Sequence, residues 1–337
     1  MPPVDSVEER AAPVTLTLQE GVPLQVSPDA PGVSLGSAFD VIRPLVDQRL
    51  ERDGGILFRG FTDPGVEGFQ TFAAGFGHPL LNYEFGSTPR TRVTGGGVYT
   101  STEYPAHRTI PLHNEQAYTR EWPLRIWFYS AQVAQSGGET PIADSREIYR
   151  RIDPMLRRRF DRLGLKYVRN YGGGLDVGWQ QVFNSNDPRA VETWCRERGI
   201  ECLWSDGGHL RTSQVCQATA VHPRTGDLVW FNQAHLFHVS ALEPELREIL
   251  LETVGEESLP RNVYYGNGQP LEETALEEVR GVLDECKVVF PWQRGDVLML
   301  DNMLMAHARE PYTGARKVVV AMAESHGTPP LNLGTTG

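Results

Sequence analysis

The chain has 337 residues, 40% of them hydrophobic and 22% charged, which is the balance of an ordinary globular protein with a sizeable core. Its 32 Lys and Arg stand against 43 Asp and Glu, a formal net charge of −11. That charge argues against a nucleic acid or an anionic membrane as partner, while leaving room for a local basic pocket.

Residues 1 to 36 are rich in Pro, Val and Gly and read as an N-terminal lead with a short strand near Val14–Leu18. Ser37 to Asp53 reads as an amphipathic helix, with Phe39, Ile42, Leu45, Val46 and Leu50 at helical spacing and Gly54-Gly55 as its stop. Ile56 to Phe61 is a buried strand, and Val66 to Phe76 a second helix. Arg125 to Ala131, with its aromatic and β-branched bias, is a core strand. Ser145 to Leu165 is helical, restarted at Asp153-Pro154. Asp187-Pro188 opens a helix through Arg198 that Gly199 ends. Further helices are expected at Glu243–Thr253 and Leu271–Leu283, then strands at Gln293–Leu300, entered by a turn, and Lys317–Met322. The expected fold is mainly β with helices: a double-stranded β-helix, or jelly roll, with a helical insertion over about residues 150 to 215 covering the barrel opening. One catalytic domain would span residues 37 to 326, followed by a flexible tail from 327 to 337.

Cys195, Cys202, Cys216 and Cys286 form no Cys-x-x-Cys pair, so free buried thiols in a reducing cytoplasm are expected. Met1 to Val14 lacks a basic, apolar leader, and no run of about 18 apolar residues occurs, so a cytoplasmic chain without a membrane span is expected.

The chemistry concentrates at His113 and Glu115, two positions apart, and at His307 far downstream. On a strand, positions i and i+2 project to one face. Two imidazoles and a carboxylate converging on a point make the facial triad of non-haem Fe(II), with open positions for a co-substrate and O₂. His-x-Glu alone is common; its company raises its weight. Gly137-Gly138-Glu139-Thr140-Pro141 follows, and Arg316 stands nine residues after His307 at the start of an apolar strand. A 2-oxo acid co-substrate needs a cation for its far carboxylate, and Arg offers bidentate geometry. Thr140 could add a hydroxyl contact.

Five motifs together resemble the Fe(II)/2-oxoglutarate dioxygenases of the taurine dioxygenase and clavaminate synthase-like superfamily, and within it the SyrP-like group. They are Pro111–Glu115, Gly137–Asp144, Val229–Gln233, Tyr264–Gly268 and His307–Pro311. The likeness spans roughly residues 35 to 325. It implies that His113, Glu115 and His307 bind Fe(2+), that Arg316 and Thr140 anchor 2-oxoglutarate, and that O₂ takes the remaining position. Oxidative decarboxylation would then yield succinate and CO₂ and drive hydroxylation of an unactivated C–H. Family halogenases lack the carboxylate ligand, so Glu115 disfavours halogenation. Taurine dioxygenases carry His-x-Asp, so Glu115 also points away from sulfonates. Asn267 stands where the group often has Asp. The implied substrate is a small molecule, an amino acid or amino-acid-derived unit of specialised metabolism such as antibiotic biosynthesis, free or on a peptidyl carrier protein. A desaturase or oxidative cyclase would use the same iron chemistry. A non-catalytic jelly-roll binding protein would be expected to have lost the triad, and a zinc hydrolase would give Arg316 and Thr140 no task.

Other residues leave alternatives open. Asn232 and Gln233, after Trp230-Phe231, suit a pocket wall that binds substrate or a strand ending in an amide cap. Arg309 shares a strand face with His307 and could contact substrate or form a buried ion pair. Trp179, Gln180 and Phe183 follow Tyr171-Gly172-Gly173-Gly174-Leu175, which reads as a mobile hinge closing over substrate or as rigid scaffold. His235 and His238 could bind a metal from one helix face, but no carboxylate follows at useful spacing, which favours a structural or substrate-facing role. His222 lies in a turn signature and reads as structural, and Arg157-Arg158-Arg159 reads as a solvated helix face before an anion patch.

Overall fold

The long strand Glu121–Gln132 organises the molecule. Its odd positions Trp127 and Tyr129 and its even positions Ile126 and Phe128 enter two different cores, so both faces of the strand are buried. The computed structural model describes residues 14–82, 93, 95–100, 104–172 and 177–328. In the larger sheet the strands run in the order Leu16–Gln19, Leu24–Pro28, Gly55–Phe58, Val297–Asp301, Glu121–Gln132, Lys317–Gly327 and Val98–Thr100. All neighbours are antiparallel except Leu24–Pro28 with Gly55–Phe58.

The helices Phe39–Asp53 and Gly65–Ala74 cover the outer face of this sheet. Ile42, Val46, Leu50, Phe69 and Phe72 pack there on Val26, Ile56, Phe58, Trp127 and Tyr129. On the inner face, Leu57, Ile126, Phe128, Leu298 and Val320 meet Ile142 and Met305 of a second, three-stranded sheet. That sheet places Met305–Arg309 between Ile110–His113 and Ile142–Asp144. Its opposite side, through Leu112, Ala143, Ala306 and Ala308, packs on a third core that includes Phe160, Trp230 and Leu276. Two facing antiparallel sheets with an apolar interior are the double-stranded β-helix that the sequence pattern implies.

Two regions depart from the sequence reading. The segment read as a lead contributes two strands to the larger sheet, and Leu24 and Val26 are fully buried there. The stretch from 150 to 215, expected to be helical, carries the helices Pro154–Leu163, Trp179–Val182 and Pro188–Glu197 but also three strands. These are Leu165–Tyr171, Glu201–Ser205 and His209–Cys216, and Arg261–Tyr265 completes their four-stranded sheet. The hairpin turns at Asp206-Gly207-Gly208, where both glycines have positive φ (86° and 79°). Glu201–Ser205 has no fully buried position, so its alternation is faint in sequence. The helix starts match their Asp-Pro signals. The carboxylates of Asp153 and Asp187 accept backbone N–H bonds in the first turns they cap, and Pro occupies the first helical position.

Gly54 ends the first helix in the left-handed region, φ 74°, and returns its N–H to the Leu50 carbonyl. A Cβ there would lie 2.8 Å from Cγ of Met305, the first residue of the His307 strand. Gly54→Ala should therefore cost about 1–2 kcal/mol from left-handed strain alone. The midpoint of urea unfolding should fall with an unchanged slope.

Candidate active site

Antiparallel pairing of Ile110–His113 with Met305–Arg309 sets His113 directly opposite His307. Their ring centroids are 4.5 Å apart, and Phe128 from the larger sheet lies 4.9 Å from the His307 ring. Nδ1 of His113 is 2.8 Å from the Pro111 carbonyl oxygen. A carbonyl only accepts, so Nδ1 carries the proton and the Nε2 lone pair is presented for a metal. Glu115 completes the set: ligand atoms of His113, Glu115 and His307 all lie within 4.8 Å of one another. Among the described residues no other His, Cys, Asp or Glu cluster is so arranged. Two neutral imidazoles and one carboxylate are the donor set of the Fe(II) facial triad.

The two-residue spacing works differently from the strand argument. The strand ends at His113, and Glu115 lies past it in a turn. Its position is fixed by Asn302. The Asn302 Oδ1 accepts the Glu115 N–H at 2.7 Å, and Nδ2 donates to the Glu115 carbonyl at 3.0 Å and to the Pro123 carbonyl at 2.9 Å. One side chain thus substitutes for a neighbouring strand. Asn114 adds a second tie, its Nδ2 donating to the Asn302 carbonyl (2.7 Å) and to Ser145 Oγ (3.1 Å). Beneath them Asp301 holds the turn between the strands. Its Oδ1 accepts the N–H groups of Met303 and Leu304, and its Oδ2 accepts Nε2–H of His222 at 3.0 Å. Sequence reasoning gave Asn302, Asn114 and Asp301 no role. The available signal was an Asp-Asn pair placed just before a strand that carries a candidate ligand.

Arg316 reaches back over the Gly137-Gly138 turn. Its Nε donates to the Gly138 carbonyl at 2.8 Å, and one terminal nitrogen is 3.5 Å from Thr140 Oγ1. A Cβ on Gly138 would stand 2.9 Å from Arg316 Cδ, and Gly138 has φ 76°, so this approach requires glycine. Thr140 Oγ1 also accepts the Trp292 indole N–H at 3.0 Å. Burial pushes the Arg316 guanidinium down to about 10, and the nearby cation Arg309 acts in the same direction. At neutral pH it keeps its charge. Arg309, 5% exposed, donates from its terminal nitrogens to the carbonyls of Tyr104, Pro105 and Arg108 at 2.9, 2.7 and 2.6 Å. It forms no carboxylate ion pair among the described residues. Tyr312 stands near both guanidiniums, 5.3 Å from that of Arg309 and 5.6 Å from that of Arg316.

The remaining sequence candidates sit as follows. Asn232 Nδ2 donates to the Ala218 carbonyl and its Oδ1 accepts the Ala234 N–H. Gln233 Nε2 donates to the Asn114 carbonyl at 2.7 Å, which links it to the Glu115 turn. Trp179 packs in a satellite core with Tyr171, Val191 and Cys195, its indole N–H donating to the Gly208 carbonyl. Of the glycine-rich stretch beside it, Gly173, Gly174 and Leu175 lie outside the described residues. His235 lies within the four-residue helix Ala234–Phe237 and His238 caps its C-terminus. His235 donates from Nε2 to the Leu112 carbonyl and is pushed down to about 4 by burial, while His238 Nδ1 bonds to Ser240. Asn267 caps an exposed turn through the Gln269 N–H. Arg157 donates to the Tyr149 carbonyl and Arg159 pairs with Glu272. The cysteines are free.

Residues 19–322 match the Taurine catabolism dioxygenase TauD, TfdA family. The chain belongs to this family. It is 42% identical over 279 residues to the dapdiamide synthesis protein DdaC of Enterobacter agglomerans, covering 83% of this chain and 84% of that one. It is 32% identical over 290 residues to a clavaminate synthase-like protein of Arabidopsis thaliana, with the same coverages of 83% and 84%. Among solved structures, PvcB, an Fe, alpha-ketoglutarate dependent oxygenase from an isonitrile synthetic pathway, superposes with a TM-score of 0.52 at 15% identity, over 98% of each chain. A putative alpha-ketoglutarate dependent 2,4-D dioxygenase from Burkholderia xenovorans gives 0.53 at 17% identity, over 92% of this chain and 97% of that one. These structural likenesses establish the shared jelly-roll fold. The enzyme is an Fe(II)- and 2-oxoglutarate-dependent oxygenase.

Asn302→Leu keeps the bulk but strips the N–H and carbonyl of residue 115 of their partners. Fe(II) affinity should fall about 10- to 100-fold, the usual effect of losing a group that orients a metal ligand. Metal titration followed by equilibrium dialysis checks this; an unchanged dissociation constant would separate Asn302 from the site.

Proposed function

We propose that the enzyme hydroxylates an unactivated C–H of an amino acid or amino-acid-derived substrate in specialised metabolism, free or carried on a peptidyl carrier protein. The observation that carries this reading is the complete His113, Glu115 and His307 set in a chain 42% identical to a protein named for dapdiamide synthesis. In this reading the three residues hold Fe(II), and Arg316 with Thr140 receives the far carboxylate of 2-oxoglutarate. Iron and 2-oxoglutarate held there would supply, with O₂, an oxidant strong enough for an unactivated C–H, succinate and CO₂ being released.

The chain's own residues provide position and shielding. The Pro111 carbonyl fixes the His113 tautomer, and Asn302 fixes the backbone at Glu115. Glu115 fills the place that a halide would need, which favours oxygen transfer. Phe128, Ile142 and Met305 supply apolar surroundings inside the barrel. Arg309 braces the segment from Tyr104 to Arg108 that leads into the His113 strand.

Succinate release should require Fe(II), O₂ and an amino-acid-like substrate, with product mass rising by one oxygen atom. His113→Ala or His307→Ala should abolish it, and wild-type turnover in either variant would remove the proposed ligand. Arg316→Ala should raise the apparent KM for 2-oxoglutarate roughly 100-fold, since stripping one partner from a buried charge pair costs about 2–5 kcal/mol. Thr140→Val, which removes a neutral hydrogen bond worth about 1 kcal/mol, should do less. The sign of the pH effect follows from Arg316. Its charged form persists below about 10 and is lost above it, so 2-oxoglutarate affinity should hold through neutral pH and fall as pH rises past that value. Affinity that instead falls between pH 7 and 8 would assign the clamp to another group.

A further inference from the structure

A cleft of about 750 Å³ opens between the end of the larger sheet and the insertion. Gln116, the residue after Glu115, lines it, as do Arg120, Trp122, Trp194, Arg198 and Gln214. The volume is that of a site for an extended small molecule and exceeds what a single small amino acid fills.

Its construction indicates a ligand. Gln116 has φ 58°, a left-handed conformation that non-glycine residues adopt rarely and often at functional sites. Trp122 is 1% exposed, yet its indole N–H has no partner among the described residues. Of the insertion-wall arginines, Arg196 is exposed and, among the described residues, donates only to Thr193 Oγ1 at 3.3 Å. Arg198 stacks 4.2 Å over the Trp194 ring, lies 3.5 Å from Glu121 and 3.9 Å from Glu197, and is steadied by Gln214, whose Nε2 donates to the Arg198 carbonyl. Arg120 differs. Its Nε donates to the Val215 carbonyl at 2.8 Å, and it has no carboxylate partner among the described residues. Gly199, φ 64°, lets it lie close: a Cβ there would come 2.8 Å from the Arg120 terminal nitrogen. A half-buried guanidinium held by its Nε and facing a cleft is arranged to bind a carboxylate.

We propose that this cleft is a subsite for the prime substrate, with Gln116 at its iron end and Arg120 binding the free carboxylate of a dipeptide-sized, amino-acid-derived molecule. The inference rests on the function proposed above and chooses within it: a substrate with a free carboxylate is not joined to a carrier through that group.

The test uses the full chain loaded with Fe(II) and 2-oxoglutarate without O₂. Loading is verified first, because failure there defeats the oxygenase roles of the residues, whereas normal loading leaves only the cleft in question. Quenching of tryptophan fluorescence is then followed with alanyl dipeptides of every second residue, their C-terminal amides, and pantetheine 4′-phosphate. At least one dipeptide acid should bind, and its amide about 10- to 100-fold more weakly, as expected for loss of a charge-assisted pair. Arg120→Gln should erase that difference, and Arg120→Lys should restore part of it, which a purely structural role for Arg120 would not produce. The proposal is overturned if no dipeptide acid binds, if acid and amide bind alike, or if Arg120→Gln keeps the difference. Tighter binding of pantetheine 4′-phosphate than of any dipeptide acid would also overturn it, since the anion would then belong to a carrier arm.

Discussion

The antiparallel register that sets His113 against His307 is the constraint on which the active site depends. Two residues separated by most of the chain become cross-strand neighbours, and the backbone ladder does the placing. A slip of one residue by either strand would turn its imidazole to the opposite face, into the apolar layer of Leu112, Ala306 and Ala308. The register is held because both faces of the small sheet are buried: one side meets the larger sheet, the other a core closed by helices. The carboxylate is secured by other means. Glu115 lies past the end of the ladder, and a fully buried amide, Asn302, supplies the hydrogen bonds that a strand would have given. Buried amide networks of this kind act as fixed scaffolding when each member is paired.

At the other side of the site the constraint is electrostatic. Arg309 and Arg316 sit near one another in partly desolvated surroundings, and burial depresses both guanidiniums. Arg309 spreads its charge over three backbone carbonyls. Arg316 lies against the Gly137-Gly138 turn, near a hydroxyl already engaged by Trp292. Desolvated positive charge of this kind attracts an anion more strongly than the same groups would in water. An overall charge of −11 coexists with it because the acidic residues lie mostly on exposed helix and loop surfaces.

Much of this was legible in the sequence because the signals were local. Ile42, Val46 and Leu50 recur at helical spacing and are buried, and the Asp-Pro starts at 153 and 187 are real caps. The convergence of His113, Glu115 and His307 was legible because few residue types serve as metal ligands and these occurred in company with an Arg and a Gly-Gly turn. What sequence could not show was set by tertiary context. Glu201–Ser205 is strand only because His209–Cys216 pairs with it, and Leu24–Pro28 joins the sheet in parallel to a strand beyond an entire helix. Asn302 carries no chemistry of its own; its importance lies in facing residue 115 across 187 positions of sequence. Asn232 and Gln233, read as a pocket wall or as an amide cap, donate to backbone carbonyls, contacts that only the fold makes visible.

The central claim is that His113, Glu115 and His307 together form one iron centre that chelates 2-oxoglutarate beside Arg316. Visible absorption of the full chain with Fe(II) and 2-oxoglutarate, recorded without O₂, tests it most directly. A weak charge-transfer band that forms only when both are present, and that needs a higher 2-oxoglutarate concentration in Arg316→Ala, is the result expected. A chain that binds Fe(II) yet gives no band at any 2-oxoglutarate concentration would contradict the account.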